Sequence, residues 1–368
     1  MTVFKLNITA ISPLHIGDGG ELRHGFDFMV FENSTYRLNE DAILDQYANR
    51  LTTISDGDYP LPGKLLQSTD YNNKRLFRYI LPGFPRSRRE DARVKSCIKD
   101  VYDRPYIPGS SLKGAMRTAL AWTGWQEVNP RLDRSAIGRS RSWAGQPLEK
   151  RLFGPDPNHD LLRALQVSDC HALPEKPAQL MLINAQVLTK RSAGSPIELE
   201  AIRPNSEFVG TLHVDETLFS AQAEGELHFS NRRAWLNQLV TRLRKHSRAR
   251  LEMLAEWFEK ADNSDAIANA YRKFLNTPLP ENAAFVQLGW GGGWDSKTFW
   301  THLTKKDPLL FEQLVREFRM HKASPGSPPR KAGDPFPRSK RVAMQIKNGV
   351  AAPAAPFGWV LLELEKLS

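Results

Sequence analysis

Ten residues, Gly289-Trp290-Gly291-Gly292-Gly293-Trp294-Asp295-Ser296-Lys297-Thr298, follow directly on an apolar run, Ala283 to Leu288. Glycine is costly inside a helix or strand, so this stretch forces the chain out of regular structure just after a strand. A strand, a tight glycine turn and a cation at a following helix start would together form a phosphate cradle, with free backbone N–H groups pointing at the anion. Gly291, Gly292, Gly293, Trp294 and Lys297 are its candidate contacts. A Walker A loop read from Gly291 fails at its second glycine, where Ser296 stands, and no strand elsewhere ends in an obvious magnesium-binding aspartate. Trp290 and Trp294 bracket the glycines and could stack on bases. A glycine-rich turn with both tryptophans buried in the core would read the same way.

The charge balance favours a polyanionic partner. The chain has 368 residues, 51 Lys plus Arg against 41 Asp plus Glu, and a net charge of +10. Such a surface attracts nucleic acid but says nothing about fold. At 40% hydrophobic the chain can bury a core, and its length suggests two domains, expected as residues 1–195 and 196–368. Met1 opens directly into an alternating strand without a signal peptide, and no apolar run is long enough for a bilayer span. Cys97 and Cys170 lack Cys-x-x-Cys partners, which argues against a disulfide framework or a zinc site. These features predict a soluble, cytoplasmic protein without a cofactor or metal.

Val3 to Ile11 alternates as a half-buried strand should, and a loop His15-Ile16-Gly17-Asp18-Gly19-Gly20 follows. Short strands are expected at Phe26 to Phe31 and Thr35 to Leu38, then a helix from Asn39 to Leu51 capped by Asn39. Asp56 to Lys64 and Pro82 to Arg89 read as loops. A second helix should begin at Ser110. Asn129 to Asp160 reads as a mobile basic excursion with a short helix before Phe153. Strands are expected at Ala164 to Asp169 and Gln179 to Thr189, then a turn at Gly194 to Pro196 and a strand at Glu207 to Val214. Apolar residues at helical spacing run through Arg232 to Lys260, with a break near Ser247. Lys322 to Arg338 reads as a flexible loop before closing strands at Arg341 to Ile346 and Phe357 to Leu364. Strand and helix patterns interleave, giving an α+β class with antiparallel sheets covered by helices on one face.

A second stretch suggests anion binding. Ile107-Pro108-Gly109-Ser110-Ser111-Leu112-Lys113-Gly114-Ala115-Met116-Arg117 places Ser110 as an N-cap and Lys113 in the first helical turn. A cation there opposes the helix dipole by roughly 0.3–1 kcal/mol. Arg117, one turn on, adds like-charge repulsion of roughly 0.2–0.5 kcal/mol. A bound anion between Gly109, Ser110, Ser111, Lys113 and Arg117 would offset both, although exposed helices tolerate such costs. Ser110-x-x-Lys113, Ser168-Asp169-Cys170 and Lys297-Thr298-Phe299 echo acyl-enzyme hydrolases, but the last residue of each later motif is wrong. His15, beside Gly17, Gly19 and Gly20, could be a general base, a phosphate contact or a structural histidine. His159-Asp160 stands without a second ligand cluster, so metal catalysis is not expected. Arg232, Arg233, Arg242, Arg244, Lys245, Arg248 and Arg250 read as a solvated helix face, and Lys190-Arg191 could reach a nucleic-acid backbone.

In combination these segments resemble the RAMP superfamily of CRISPR effector subunits, closest to the fifth Csm subunit family of type III-A complexes. The resemblance runs nearly end to end. It is carried by Ile11 to Gly17, Tyr106 to Gly114, Leu152-Phe153-Gly154, Val167-Ser168-Asp169, Glu200 to Phe208, Leu288 to Trp294 with Ser296-Lys297-Thr298, Phe336 to Arg341, and Pro356 to Trp359. It implies tandem RRM-like (ferredoxin-like) domains with loop and helical insertions that bind CRISPR RNA. It also implies a cap at the guide's 3′-proximal end, a role in guide maturation, and contact with target RNA, the repeated backbone subunit, other Csm proteins and maturation nucleases. The backbone subunit's target-cutting loop aspartate does not transfer to Asp18, which has a different, glycine-rich setting. A non-catalytic subunit is therefore expected, with a metal-independent endoribonuclease using His15 as the alternative.

Overall fold

Alternation at the start of the chain produces the central strand of the largest sheet. Leu6, Ile8 and Ala10 point inward and are buried, while the intervening residues are half-buried. This first strand pairs antiparallel with a late strand on each side: Ile8 lies opposite Phe208 in one and Leu362 in the other. The computed structural model describes residues 2–51, 59–189, 193–228, 230–298, 300–320, 330–331, 334, 336–347 and 350–367.

The strands are β1 Thr2–Ala10, β2 Gly17–Arg23, β3 Phe28–Phe31, β4 Ser34–Leu38, β5 Phe77–Pro82, β6 Arg93–Cys97, β7 Tyr106–Ile107 and β8 Leu165–Val167. They continue as β9 Cys170–His171, β10 Leu180–Thr189, β11 Ala193–Ile202, β12 Glu207–Val214, β13 Ala283–Gln287, β14 Ser339–Lys347, β15 Val350–Ala355 and β16 Trp359–Lys366. The helices are α1 Glu40–Gln46, α2 Ala48–Leu51, α3 Pro62–Leu65, α4 Gly109–Val128, α5 Gln146–Phe153 and α6 Ala221–Leu227. α7 Arg233–Asn237, α8 Leu239–Glu259, α9 Asp265–Asn276, α10 Trp300–Lys306 and α11 Pro308–Glu317 complete the set.

One sheet runs β13-β16-β1-β12-β9-β7, with β8 also on β12; a second runs β15-β14-β10-β11-β6-β2; a small third is β3-β4-β5. Both large sheets draw strands from each side of residue 195. The architecture is α+β, as the interleaved pattern indicates. Leu112, Met116, Ala119 and Leu120 of α4 join Leu6, Ile8 and Phe208 of the first sheet in the main core. A neighbouring core gathers Leu251, Leu254 and Phe258 of α8, Ile267 and Tyr271 of α9, and Phe285 and Trp359.

Several expectations change. α4 starts at Gly109 with Pro108, not Ser110, in the cap position, and no side chain of its own caps it. The chain bends at Gln238, between α7 and α8, and Ser247 lies inside an unbroken helix. Its hydroxyl donates to the Phe285 carbonyl, so the residue that looked like a breaker docks α8 on β13. The turn expected at Gly194 to Pro196 is the start of β11, paired along β10. Pro196 is tolerated because β6 pairs with β11 only at Leu199, leaving the strand's other side unpartnered where the missing N–H falls. β2 starts at Gly17, inside the segment read as loop. Most of Lys322 to Arg338 and the start of Asp56 to Lys64 lie outside the described residues.

Candidate nucleic-acid interface

The N-terminus of α4 is built by a close approach. Gly109 N–H donates to the Asp169 carboxylate at 2.8 Å, which satisfies one of the helix's free donors from another strand connection. A Cβ on Gly109 would stand 2.2 Å from the Val167 carbonyl oxygen, so only glycine fits. Ser110 is exposed and Ser111 half-buried beside it. Lys113 is half-buried; burial pulls its pKa below the usual lysine value, partly offset by Asp160. Arg117 reaches Asp160 at 2.7 Å and Glu149 at 3.2 Å, with its guanidinium 4.2 Å over the Phe153 ring.

Lys113 and Arg117, but not Gly109, Ser110 or Ser111, line an open cleft of about 500 Å³ between α4, α5 and the segment at 154–163. Lys150 and Arg163 also line it. Arg117 has two carboxylate partners, whereas Lys113, Lys150 and Arg163 have no carboxylate within ion-pair distance among the described residues. The available positive charge is therefore Lys113 with Lys150 and Arg163, two positions that sequence reasoning did not single out.

The glycine-rich turn has a different character. Trp290 N–H donates to the His15 carbonyl at 2.8 Å, Leu288 N–H to Gly358 O at 2.7 Å, and Gly358 N–H to Pro13 O at 2.9 Å. Three distant segments are thereby tied into one knot. Gly291 has φ +101°, and a Cβ there would stand 2.5 Å from Cβ of Phe357. Gly292 is buried and Gly293 half-buried. No helix begins at Lys297: Trp294–Lys297 is a single 3-10 turn, and α10 starts at Trp300.

Two cations packed against this turn, Arg250 and Lys340, are inside the protein. Asp295 is 2% exposed and accepts from Lys340 Nζ at 2.5 Å. Buried Arg250 donates to the Asp295 carbonyl at 2.7 Å and to Gln287 at 2.7 Å, with its guanidinium 3.9 Å from the Asp295 carboxylate. Burial lowers the pKa of both Lys340 and Arg250, and Asp295 opposes that shift. Arg250 and Arg242 thus depart from the solvated-face expectation, whereas Arg233, Lys245 and Arg248 are exposed: Arg242 is 6% exposed and bonds Glu127 at 2.7 Å. Trp290 is enclosed by Arg341, His15 and Phe357. Trp294 is 41% exposed with an edge-to-face contact to Phe336, and Lys297 is exposed.

His15 is 2% exposed beneath this knot, with Nδ1 2.6 Å from the Glu200 carbonyl oxygen. Burial lowers its pKa, partly offset by the Glu200 interaction. Glu200 itself is fully buried and accepts from Tyr79 at 2.7 Å, Cys97 N–H at 2.9 Å and Lys99 at 2.5 Å. Glu198 and Glu200 alternate about Leu199 as polar residues do in any half-buried strand, so the sequence does not set this hub apart. Gly17, Gly19 and Gly20 are all exposed at the start of β2, and a Cβ on Gly17 would stand 3.0 Å from His15 Nε2. Lys190 and Arg191 lie outside the described residues. His159 pairs with Asp156 and Asp160 with Arg117, and no three His, Cys, Asp or Glu side chains cluster for a metal among the described residues. The structure therefore separates the candidates into an open α4 cleft, a packed glycine knot over His15, and the exposed glycines of β2.

A sequence model of the RAMP superfamily matches residues 7–294. The chain belongs to the RAMP superfamily. It is similar to the "CRISPR system Cms protein Csm5" of Methanocaldococcus jannaschii, at 23% identity covering 96% of this chain and 87% of that protein. The protein of the same name from Streptococcus thermophilus is 26% identical over 58% of this chain and 65% of its own length. The fold matches a chain of a cryo-EM Csm-crRNA-target RNA ternary complex of a type III-A CRISPR-Cas system. That match has TM-score 0.69 and 23% identity, covering 99% of this chain and 100% of that one. It also matches the crystal structure of T. onnurineus Csm5, with TM-score 0.65 and 22% identity over 96% and 99% of the two chains. Among the described residues of this RAMP protein, no helix is long and apolar enough to cross a membrane.

Proposed function

We propose that this RAMP protein is a non-catalytic, RNA-binding subunit of a type III-A Csm effector assembly. In that role it seats CRISPR RNA, caps the guide's 3′-proximal end beside the repeated backbone subunit, and supports guide maturation in the cytoplasm. The observation that carries the reading is the solvent-open cleft at the start of α4, where Lys113, Lys150 and Arg163 stand without carboxylate partners among the described residues. Fixed cations lining an open cleft suit a ribose-phosphate chain, which needs donors and charge rather than an acid–base pair. The Csm5-named relatives, and the presence of crRNA and target RNA in the matched assembly, favour the same partners. The exposed Gly19, Gly20, Trp294 and Lys297 are assigned here as secondary RNA contacts.

A gel-shift titration with labelled single-stranded RNA in EDTA tests the reading. The protein should bind the RNA and leave it intact. Lys113→Ala/Lys150→Ala/Arg163→Ala should weaken binding and flatten the salt dependence by about 2 in log–log slope, at about 0.7 per phosphate. Wild-type affinity in that variant would count against the cleft. RNA cleavage that survives chelation and is lost in His15→Ala would instead favour an endoribonuclease.

A further inference from the structure

The segment before α5 holds an aromatic platform that the cleft does not include. Residues 135–148 read Ser-Ala-Ile-Gly-Arg-Ser-Arg-Ser-Trp-Ala-Gly-Gln-Pro-Leu, with no Asp or Glu. Arg139, Ser140, Arg141, Ser142 and Trp143 are all exposed, and Trp143 is 62% exposed. The loop is nonetheless ordered from below. Gly138 N–H donates to the Ala144 carbonyl at 3.0 Å, and Trp143 N–H to Ser140 O at 3.1 Å. Ala136 and Ile137 are buried under it, and Arg134 donates to Ile137 O at 2.8 Å while its Nε reaches Glu317 of α11 at 2.8 Å.

Trp143 has no ring partner, and Arg139 and Arg141 have no ion-pair partner, among the described residues. Gln146, three residues after Trp143, lines the α4 cleft. Three residues of chain span at most about 11 Å, so the Trp143 backbone lies within that reach of the cleft's lining. We infer that Trp143, with Arg139 and Arg141, is a stacking platform for an unpaired base of single-stranded RNA leaving that cleft. This rests on the RNA-binding reading proposed above.

The chemistry selects RNA over a protein surface. A protein interface core needs contiguous apolar area, whereas Trp143 is flanked by Arg and Ser and no exposed aliphatic side chain adjoins it in sequence. An aromatic face between unpaired guanidiniums and hydroxyls matches what one nucleotide offers: a base to stack and a phosphate to hold. Tyr102, another exposed aromatic, is different: it sits in a turn held by Asp100, where Asp100 and Asp103 already pair with Arg104 and Arg78.

Fluorescence anisotropy of the full chain with a short labelled oligouridylate tests this in five proteins: wild type, Lys113→Ala/Lys150→Ala, Trp143→Ala, Trp143→Phe and Arg139→Ala/Arg141→Ala. Trp143→Ala should weaken binding about five- to hundredfold, the range for losing one stacked base. Trp143→Phe should keep most of the affinity. Arg139→Ala/Arg141→Ala should lower the log–log salt slope by about 1.4. Arg139, Arg141, Trp143 and Lys150 are exposed, so melting temperatures of the Trp143 and arginine variants should match wild type. If Trp143→Ala binds like wild type while Lys113→Ala/Lys150→Ala is weakened, the platform is overturned and the cleft stands. If the wild type binds no RNA, both readings fall. If Trp143→Ala keeps RNA affinity but no longer co-purifies with neighbouring complex subunits, the patch is a protein surface and the inference is wrong.

Discussion

The start of α4 and the turn at Gly289 to Thr298 look alike in sequence, each with a strand signal, glycines and a lysine, yet they use these parts in opposite ways. At α4 the glycine lets two backbones touch, one carboxylate covers a helix donor, and the lysine beyond it faces an open cleft. At the turn the glycines pack against Phe357 and His15, while the cations come from α8 and β14 and are buried on Asp295. The lesson is where the counter-charge lies. A cation already paired with a buried carboxylate holds the fold together, and one without a partner is left for a ligand.

The largest effect that could break this contrast is on stability. Asp295→Ala leaves Arg250 and Lys340 as buried uncompensated cations, so chemical denaturation should show a loss of about 3–5 kcal/mol. Lys113→Ala/Lys150→Ala should stay within about 0.5 kcal/mol of wild type. A small loss in Asp295→Ala would mean that the turn is not pinned from inside.

Next in size is a pH effect confined to the packed side. His246 lies in α8 near Arg250 and His302, and burial first, then those cations, lower its pKa to about 3. A histidine depressed in the folded state takes up its proton mainly on unfolding. Its stabilising contribution is therefore complete above about 6.5 and is lost as pH falls towards about 3, by up to about 1.4 kcal/mol per unit. Replacing it in His246→Gln should flatten the acid limb of the melting curve. An unchanged acid limb would remove this residue from the account.

The smallest effect sharpens the contrast within the turn itself. Lys297 is exposed and off the Asp295 network, so Lys297→Ala should leave melting unchanged and reduce the salt slope of RNA binding by about 0.7. A shift in melting temperature without a slope change would return Lys297 to the structural side.

The fold was legible where periodicity is local. The alternation of β1, the Asn39 cap of α1 and the apolar spacing of α8 all identify elements that form. It was illegible where a distant partner decides. Ser247 looks like a breaker until β13 lies beside it, and Pro196 looks like a turn until its outer side proves unpaired. The RAMP resemblance points to the right family, and the α4 motif to Lys113, which we propose as an RNA contact. Lys150, Arg163 and Trp143 carry no spacing signal, because a surface side chain gains meaning only from what fails to neutralise it. Arg250 and Arg242 misled for the mirror-image reason: their acids, Asp295 and Glu127, are far away in sequence.

β1 sits between β12 and β16, with Phe4 opposite Lys366. A ribosome making this chain in order releases β1 long before either neighbour exists, so the nascent protein carries a bare strand until β12 is made and a half-paired one until β16 follows. Bringing such distant segments together is slow, and unpaired edges invite wrong pairings meanwhile. Production of this protein should therefore be limited by how well that early strand is sheltered until β12 and β16 have been made.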